Sequence, residues 1–304
     1  MESKRPLLSI CIPTYNRSAF LRDALDNITL DPDFDERVEV IVSDNASTDN
    51  TPDVVASFCK EYSNIKYYKN EANIKDQNFY LAISRGTGRY VRLFNDTLRF
   101  KKNALSFILQ KIATSDEKFP LFFYDNTLDF KNCNFKGYNI NSFIEYVSYN
   151  MTWIANFGGW KEDIDEIMLP YRYSKLQLSQ VDWTLQIVDN HSCFALYIED
   201  FFCSIAPQQK GGYNFFEVFV KNYLSILATY SFDNKYIYKE KVKLLKYHIM
   251  PWCWKMYIQP DKFKFNTRYK WPILLRYYYL CPTFYLEIIK YCIKIALNKM
   301  HIYK

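Results

Sequence analysis

The chain has 304 residues, of which 49% are hydrophobic and 19% aromatic, and its formal net charge is +6. This length and composition predict one large or two modest folded domains and exclude a wholly disordered chain. The charge is uneven, because residues 241–304 carry 13 basic and two acidic side chains, whereas residues 1–240 carry 26 basic and 31 acidic ones. A mildly acidic body is therefore followed by a basic, aromatic tail.

The eight cysteines and three histidines are scattered along the chain, and no cysteine pair has the C-x-x-C spacing of a zinc site. The first residues do not read as a secretory signal peptide. We therefore expect reduced thiols and a cytoplasmic protein.

The first hundred residues alternate between short apolar runs and amphipathic segments. Such alternation is typical of βαβ units around a parallel sheet. Right-handed crossovers bring the carboxyl ends of these strands to one edge, where ligands bind in open α/β sheets. The predicted strands cover residues 7–12, 38–43, 65–68 and 90–94, and the predicted helices cover residues 19–28, 52–61 and a segment ending near residue 84.

Polar residues follow several of these predicted strands, and the run Asn95-Asp96-Thr97 contains a carboxylate. A carboxylate with amide and hydroxyl neighbours suits a hard divalent cation whose shell is completed by phosphate oxygens. The alternative is that the run only turns the chain and caps a helix that begins near Lys101.

Beyond Asp96 the pattern is weaker. The paired Gly158-Gly159 predicts either a loop whose backbone approaches a ligand or an ordinary tight turn. Residues 126–150 show no clear period. Helices are expected over residues 101–113, 176–188 and 215–230, a strand over 119–124, and one or two strands over 194–205.

From residue 239 the sequence predicts helical segments rich in Lys, Tyr, Trp and Ile, broken at Pro251, Pro260, Pro272 and Pro282. None reaches the roughly 18 uncharged apolar residues that a membrane-spanning helix needs. Basic and aromatic residues beside apolar faces favour a helix that lies in the membrane interface. The alternative is a helical cap that packs on the body and presents a solvated basic face.

Four blocks in the first hundred residues, in order, resemble the family 2 inverting glycosyltransferases of the GT-A fold, which use nucleotide sugars in bacterial surface-polysaccharide synthesis. The blocks read SICIPTYNR from Ser9, VIVSDNASTDNT from Val40, NEANIKDQN from Asn70 and GRYVRLFNDT from Gly88. The resemblance implies an α/β GT-A domain over residues 1–235, with a mostly parallel, Rossmann-like sheet and flanking helices. Residues 1–100 would be its nucleotide-binding half and 101–235 its acceptor half, followed by the helical tail 236–304.

The resemblance also implies roles for single residues. Thr14 and Tyr15 would contact the nucleobase and ribose, with the Tyr15 ring against the base, and Asp44 would accept a hydrogen bond from the base. Asp96 would bind the Mg²⁺ or Mn²⁺ ion that bridges the two phosphates. The run Asn95-Asp96-Thr97 replaces the family's run of acids, so we expect poor metal affinity without nucleotide. The remaining residues implied to bind the nucleotide are Pro13, Arg17, Asn73 and Asn95.

An inverting transfer needs a general base that deprotonates the acceptor hydroxyl. In the family this base is a carboxylate near the start of a helix that lines the acceptor cleft, and Asp182 is the best match here. A solvated helix-face or cap residue is the alternative for Asp182. The rival bases are Asp163, Asp165 and Asp200, and Gly158, Gly159 and Trp160 would shape the acceptor side.

The resemblance thus predicts a glycosyltransferase that moves a sugar from a nucleotide-diphosphate donor, with a UDP-sugar favoured, to a glycan hydroxyl. The expected acceptor is a lipid-linked oligosaccharide of O-antigen or capsule type, and the basic tail would hold the protein at the anionic inner face of the cell membrane. The alternative is a non-catalytic nucleotide-sugar or glycan-binding scaffold derived from a degenerate transferase. Nucleic-acid binding is not expected, because the acidic body lacks a continuing basic groove.

Overall fold

The structure, a computed structural model, describes residues 5–126, 130–205 and 210–302. The chain divides into two compact units, Met1–Ile205 and Ala206–Lys304. The predicted boundary between a transferase domain and a tail, at residues 235/236, lies inside the second unit.

The first unit is built on a sheet in the order β3-β2-β1-β4-β8, in which β1 to β4 are parallel. Every residue of β1 and β2 is buried, because helices cover both faces of the sheet as continuous apolar strands require. The predicted βαβ order of this half is confirmed. Its elements are β1 (Leu8–Thr14), α1 (Ser18–Thr29), β2 (Val38–Asp44), α2 (Thr51–Glu61), β3 (Ile65–Lys69), α3 (Gln77–Ser84) and β4 (Tyr90–Leu93).

The rest of the first unit adds two smaller sheets. In one, β6 and β9 are parallel and β7 is antiparallel to β9; in the other, β5 and β10 are antiparallel. The elements are β5 (Leu98–Phe100), α4 (Ala104–Thr114), β6 (Leu121–Asp125), β7 (Cys133–Gly137), α5 (Ile140–Val147), β8 (Gly158–Trp160), α6 (Lys161–Asp165), α7 (Ser179–Asp189), β9 (Phe194–Glu199) and β10 (Phe202–Ser204).

Residues 130–150 contain regular structure that the sequence pattern did not predict. Asn139 starts α5 with a capping box, because its side chain accepts a hydrogen bond from the Ser142 backbone and the Ser142 side chain accepts one from the Asn139 backbone. The Phe135 ring of β7 stacks on Tyr146 of α5, with centroids 4.2 Å apart. Aromatic contacts between neighbouring elements therefore order a segment whose sequence has no clear period.

The prediction that Gly158-Gly159 lies in a loop is wrong. Both glycines belong to β8, the edge strand that pairs antiparallel with β4. A Cβ atom on Gly158 would lie 2.8 Å from the Tyr90 ring and 2.9 Å from the Arg92 Cβ. The glycine therefore allows β8 to approach large side chains of the neighbouring strand.

The second unit is mostly helical and contains one parallel pair of strands, β11 and β12. The predicted helix over residues 215–230 is confirmed, and part of it is π-helical, Glu217–Asn222. The other elements are β11 (Lys210–Asn214), α8 (Tyr223–Leu227), α9 (Asn234–Lys243), a π-helical segment Leu244–Ile249, α10 (Met250–Ile258), β12 (Phe263–Asn266), α11 (Lys270–Tyr278) and α12 (Pro282–Ile302).

The predicted helix break at Pro251 is wrong, because helical structure runs from Asn234 to Ile258 through this residue. A proline removes one backbone donor and crowds the preceding turn, and the π-helical segment just before Pro251 has the wider turns found at such irregularities. Pro272 and Pro282 lie in the first turns of α11 and α12, and Pro260 follows α10. Within the described residues no helix is both long and apolar enough to cross a membrane.

Candidate functional site

The carboxyl ends of β1, β2 and β4 meet at one edge of the main sheet, and a cavity of about 360 Å³ lies there. Seven of the residues predicted to bind nucleotide or metal line it. They are joined by two residues of the segment between β3 and α3, two from the first turn of α3 and one from the loop after β2. The lining residues are Pro13, Thr14, Tyr15, Arg17, Asn45, Asn73, Lys75, Asp76, Asn78, Phe79, Asn95 and Asp96.

Asp96 is the carboxylate at the β4 side of this cavity and is 3% exposed. The Thr14 hydroxyl donates to its Oδ2 at 3.0 Å, and Arg17 Nη1 donates to its Oδ1 at 3.1 Å. Burial raises the pKa of Asp96 above its ordinary value, and the Arg17 guanidinium and Thr14 hydroxyl oppose that rise. Arg17 therefore supplies the positive charge that a buried carboxylate needs.

The donor set around Asp96 fits a cation that a bound diphosphate helps to hold. No group of three or more His, Cys, Asp and Glu side chains suited to a metal occurs in the described parts of the chain. Asn95, which also lines the cavity, adds an amide oxygen beside the single carboxylate. Mg²⁺ is commonly held by one or two carboxylates together with substrate phosphates and water, so these residues suit such an ion without forming a full protein cage.

A network of asparagines fixes the opposite wall of the cavity. Asn45 Nδ2 donates to Asn73 Oδ1 at 2.9 Å, and Asn45 Oδ1 accepts from the Ile74 backbone at 2.9 Å. Asn78 donates to the Ser43 carbonyl at 2.8 Å. These bonds join the segment after β3 to the end of β2, so this wall is held in place before any ligand binds.

Tyr15 and Asp44 differ sharply in their access to the cavity. The Tyr15 side chain is 43% exposed, which leaves its ring open to stacking. Asp44 is fully buried, and its oxygens accept from the Tyr67 hydroxyl at 2.6 Å and the Ser47 backbone at 2.9 Å. Among the described residues Asp44 does not line the cavity. Its contact with a base stays a prediction.

Asp182 lies in the first turn of α7, as expected, but the alternative of a solvated helix face is wrong because Asp182 is 1% exposed. Arg172 forms a bidentate pair with its carboxylate, with Nε donating to Oδ2 at 2.9 Å and Nη2 donating to Oδ1. Gln186 Nε2 also donates to Oδ2 at 3.0 Å. The structure therefore places Asp182 in a satisfied buried network, outside the described lining of the cavity.

The rival bases occupy different surroundings. Asp163 is buried and is 2.8 Å from His191 Nε2, whereas Asp165 and Asp200 are exposed and pair with Lys161 and Lys101. Gly158, Gly159 and Trp160, predicted for the acceptor side, are buried in β8. Their proposed contact with an acceptor remains a prediction.

Sequence reasoning missed Asn45, Lys75, Asp76, Asn78 and Phe79 as cavity residues. The signal for Asn45 was its place directly after Asp44 at a strand end. The other four lie in or next to the third block of the resemblance, from which only Asn73 was chosen. Their positions depend on how the segment between β3 and α3 folds back, which the hydrophobic pattern does not encode.

Solved structures of other proteins share the fold of this chain. A crystal structure of residues 1–349 of S. aureus TarS in complex with UDP superposes with a TM-score of 0.57 at 14% identity, covering 80% of this chain and 71% of the TarS 1–349 chain. The mannosyltransferase PcManGT from Pyrobaculum calidifontis, in complex with GDP-Man and Mn²⁺, superposes with a TM-score of 0.54 at 14% identity, covering 82% of this chain and 72% of the other. These likenesses show that the fold is GT-A.

Several curated glycosyltransferases match part of the chain in sequence, among them the following two. Abequosyltransferase RfbV of Salmonella typhimurium is 36% identical over 111 residues, which are 36% of this chain and 33% of RfbV. The Campylobacter jejuni GalNAc(5)-diNAcBac-PP-undecaprenol beta-1,3-glucosyltransferase is 35% identical over 109 residues, or 35% of this chain and 34% of the relative. The matches thus span about a third of the length of these relatives. The family model "Glycosyl transferase family 2" matches residues 9–203, well over half of the chain, and the chain belongs to that family.

Proposed function

We propose that the protein transfers a sugar from a nucleoside-diphosphate donor to a hydroxyl group of a glycan, with inversion at the anomeric carbon. The observation that carries this proposal is the cavity at the strand ends, where an exposed aromatic ring, an arginine and a buried carboxylate (Tyr15, Arg17 and Asp96) face the same space. Family membership supports it, and so do the UDP, UDP-GlcNAc and GDP-Man named in complexes of proteins with this fold.

Each cavity residue has a role that its surroundings suit. The Tyr15 ring stacks against the donor base, which every base permits because each has a π face. Arg17 is half exposed and binds the diphosphate, since a guanidinium matches phosphate oxygens and can leave Asp96 when they arrive. A Mg²⁺ or Mn²⁺ ion bound at Asp96 would neutralise charge that develops on the leaving diphosphate. Thr14 orients the Asp96 carboxylate through its hydroxyl.

We assign the general base to Asp182, which accepts the proton of the acceptor hydroxyl as that oxygen attacks. Its carboxylate has both oxygens engaged by Arg172, so one of these bonds must open before a hydroxyl can approach. The Arg172 side chain is 34% exposed, which gives it room to move, while Gln186 keeps the carboxylate oriented. Catalytic hydrogen bonds are often formed only in the complex with substrate.

The second unit supplies a surface for a membrane-bound acceptor. Helix α12 exposes Leu286, Ile289, Ile293, Leu297 and Met300, each between 48% and 60% accessible. Their spacing of three or four residues makes one apolar stripe.

Lys290 and Lys294 lie beside this stripe on α12. Basic side chains near an anionic leaflet each add about 1 kcal/mol of attraction. We propose that α12 lies in the interface at the inner face of the cell membrane and holds the active site near a lipid-linked oligosaccharide. The lipid-linked acceptor named for the Campylobacter relative supports this choice.

The membrane proposal is tested by sedimentation with vesicles that contain anionic phosphatidylglycerol. Leu286→Ser combined with Ile293→Ser is expected to lower the bound fraction of the full chain, whereas a matched pair of Ser substitutions at the exposed Leu30 and Leu169 should not. Equal binding of both variants would exclude the α12 stripe as the anchor.

The donor site is tested by thermal unfolding with nucleoside diphosphates and nucleotide sugars, with and without Mn²⁺. A ligand at a hundred times its dissociation constant stabilises the folded state by about 2.7 kcal/mol. We expect a rise in the unfolding midpoint with at least one nucleotide, and we expect it to need Mn²⁺ and to vanish in Asp96→Ala. No rise with any nucleotide would refute the proposed function.

The second candidate is a scaffold that binds nucleotide sugar without turnover, and the single carboxylate of Asn95-Asp96-Thr97 favours it. Asp182→Asn separates the two, because loss of a general base lowers turnover by about 10²- to 10⁴-fold and leaves donor affinity intact. The readouts are release of nucleoside diphosphate and calorimetric donor binding. A wild-type protein that binds donor and releases no diphosphate in the presence of glycan acceptors would establish the scaffold.

A further inference from the structure

Asp76 lines the donor cavity but has no role in the assignments above. It directly precedes α3, and its side chain does not cap that helix. Among the described residues, no hydrogen bond to its carboxylate is found. Burial raises the pKa of Asp76 to about 6, and nearby Lys75 opposes the rise. At pH 7.5 the side chain is therefore mostly ionised and accepts hydrogen bonds without donating any.

The backbone holds Asp76 at the cavity. Lys75, its neighbour, has a φ of 53°, a left-handed conformation that is unfavourable for a non-glycine residue. The Lys75 backbone donates to Asn73 Oδ1 at 2.9 Å, and its carbonyl accepts from Asn45 Nδ2 at 3.2 Å. The asparagine network thus fixes the turn that brings Lys75 and Asp76 to the cavity wall.

The sheet order indicates which end of a nucleotide meets Asp76. Asp96 follows β4, and the segment with Asp76 follows β3, three strand positions away in the order β3-β2-β1-β4. Strands lie about 4.8 Å apart, so these two strands are separated by roughly 14 Å. If Arg17 and Asp96 hold the diphosphate, the base extends along the cavity toward Lys75 and Asp76.

We propose that Asp76 reads the donor base and selects uracil or guanine over cytosine and adenine. The inference rests on the donor site proposed above. Uracil N3 and guanine N1 each carry a hydrogen that an ionised carboxylate accepts, and each has a carbonyl oxygen beside it that suits the Lys75 ammonium. Cytosine N3 and adenine N1 are acceptors, so they place a lone pair against the Asp76 carboxylate.

Asp76 is better placed for this contact than Asp44, to which the resemblance assigned it. Both Asp44 oxygens accept hydrogen bonds from the protein, from Ser47 and Tyr67, and the residue is fully buried. A base that displaced either bond would leave the Ser47 amide or the Tyr67 hydroxyl without its acceptor, which is unfavourable. Asp76 incurs no such cost, because its carboxylate has no partner to lose.

The test is calorimetric binding of UDP, CDP, GDP and ADP, with Mg²⁺, to the full chain and to Asp76→Asn. UDP with CDP, and GDP with ADP, are pairs of equal ring size. We expect the wild type to bind UDP or GDP about 10- to 100-fold more tightly than its partner, as the loss of a charge-assisted hydrogen bond implies. In Asp76→Asn, whose amide both donates and accepts, we expect this ratio to fall to about threefold or less on the same grounds.

Asp44→Asn and Asp76→Ser are the comparison variants, each checked for folding by circular dichroism. Asp76→Ser is expected to lose the selectivity too, which keeps the test valid if the Asn variant folds poorly. A wild type that prefers CDP or ADP, or that shows no preference, would overturn the inference while leaving the donor site intact. Selectivity that survives in Asp76→Asn and disappears in a folded Asp44→Asn would also overturn it. Absence of binding by all four nucleotides would instead refute the proposed function.

Discussion

Gly158 and Gly159 offer a matched pair of substitutions in one strand. A Cβ atom on Gly158 would lie 2.8 Å from Tyr90 Cε1 and Oη, closer than Cβ atoms approach other atoms. The Tyr90 ring cannot move away easily, because its hydroxyl donates to the Leu121 carbonyl at 2.9 Å and its faces contact aromatic neighbours. A Cβ atom on Gly159 would meet the end of the Ile187 side chain at 3.2 Å and Ile164 Cγ1 at 3.7 Å, which is an ordinary contact.

Two opposing effects determine how much each Gly→Ala substitution changes the free energy of unfolding. Replacing glycine by alanine reduces the entropy of the unfolded chain and stabilises a protein by about 0.4–1 kcal/mol where the backbone permits it. Overpacking a core costs about 1–3 kcal/mol. We therefore expect Gly158→Ala to lower the free energy of unfolding by about 1–2 kcal/mol, and Gly159→Ala to leave it within about 1 kcal/mol of the wild type.

Urea unfolding followed by fluorescence measures the difference. With a slope of about 1–3 kcal/mol per molar urea, the two variants should differ in midpoint by roughly 1 M. Nucleotide affinity should be measured on the same variants. It distinguishes a packing role for Gly158 from the role suggested by the sequence, in which the glycine backbone approaches a ligand. If Gly158→Ala unfolds at the same urea concentration as the wild type and loses nucleotide affinity, the packing argument is refuted.

Three further outcomes follow from single contacts. Tyr15→Ala should weaken nucleotide binding by about 1–3 kcal/mol through lost stacking, with Tyr15→Phe unchanged, as titration calorimetry would show. Arg172→Ala should lower the free energy of unfolding by about 1–3 kcal/mol, because it removes two donors from buried Asp182; an unchanged urea midpoint would contradict this. Burial raises the pKa of Glu39, but hydrogen bonds such as that from Ser9 bring it below its ordinary value. Its stabilisation is therefore present above about pH 4.3 and lost as the pH falls, so acid should lower the urea midpoint less in Glu39→Gln than in the wild type.

The first half of the fold was predictable because its signals are local. The strands that contain Cys11 and Ile41 are short apolar runs bounded by turn residues, and parallel sheets buried on both faces require such runs. Right-handed crossovers align the carboxyl ends of the strands, which placed Tyr15 and Asp96 at one edge, and the family resemblance added Arg17. These residues do line a common cavity.

What escaped prediction depends on contacts between distant parts of the chain. Strand β8 has only three residues, two of them glycine, and forms because it pairs with Tyr90 and its neighbours in β4. The helix continues through Pro251, and the ring of the next residue, Trp252, packs against Phe215 and Phe265 from other elements of the second unit. The sequence pattern within a single segment does not predict these contacts with distant residues.

Asp96, the proposed metal ligand, and Asp182, the proposed general base, have similar surroundings that the sequence did not predict. Each is almost fully buried, and each is held by an arginine whose own side chain is partly exposed, Arg17 in one case and Arg172 in the other. A buried carboxylate without a partner is costly, so these arginines stabilise the ligand-free fold. Because both arginines remain in contact with solvent, we expect phosphate or acceptor groups to compete for them, so that substrate binding would free each carboxylate for its proposed role.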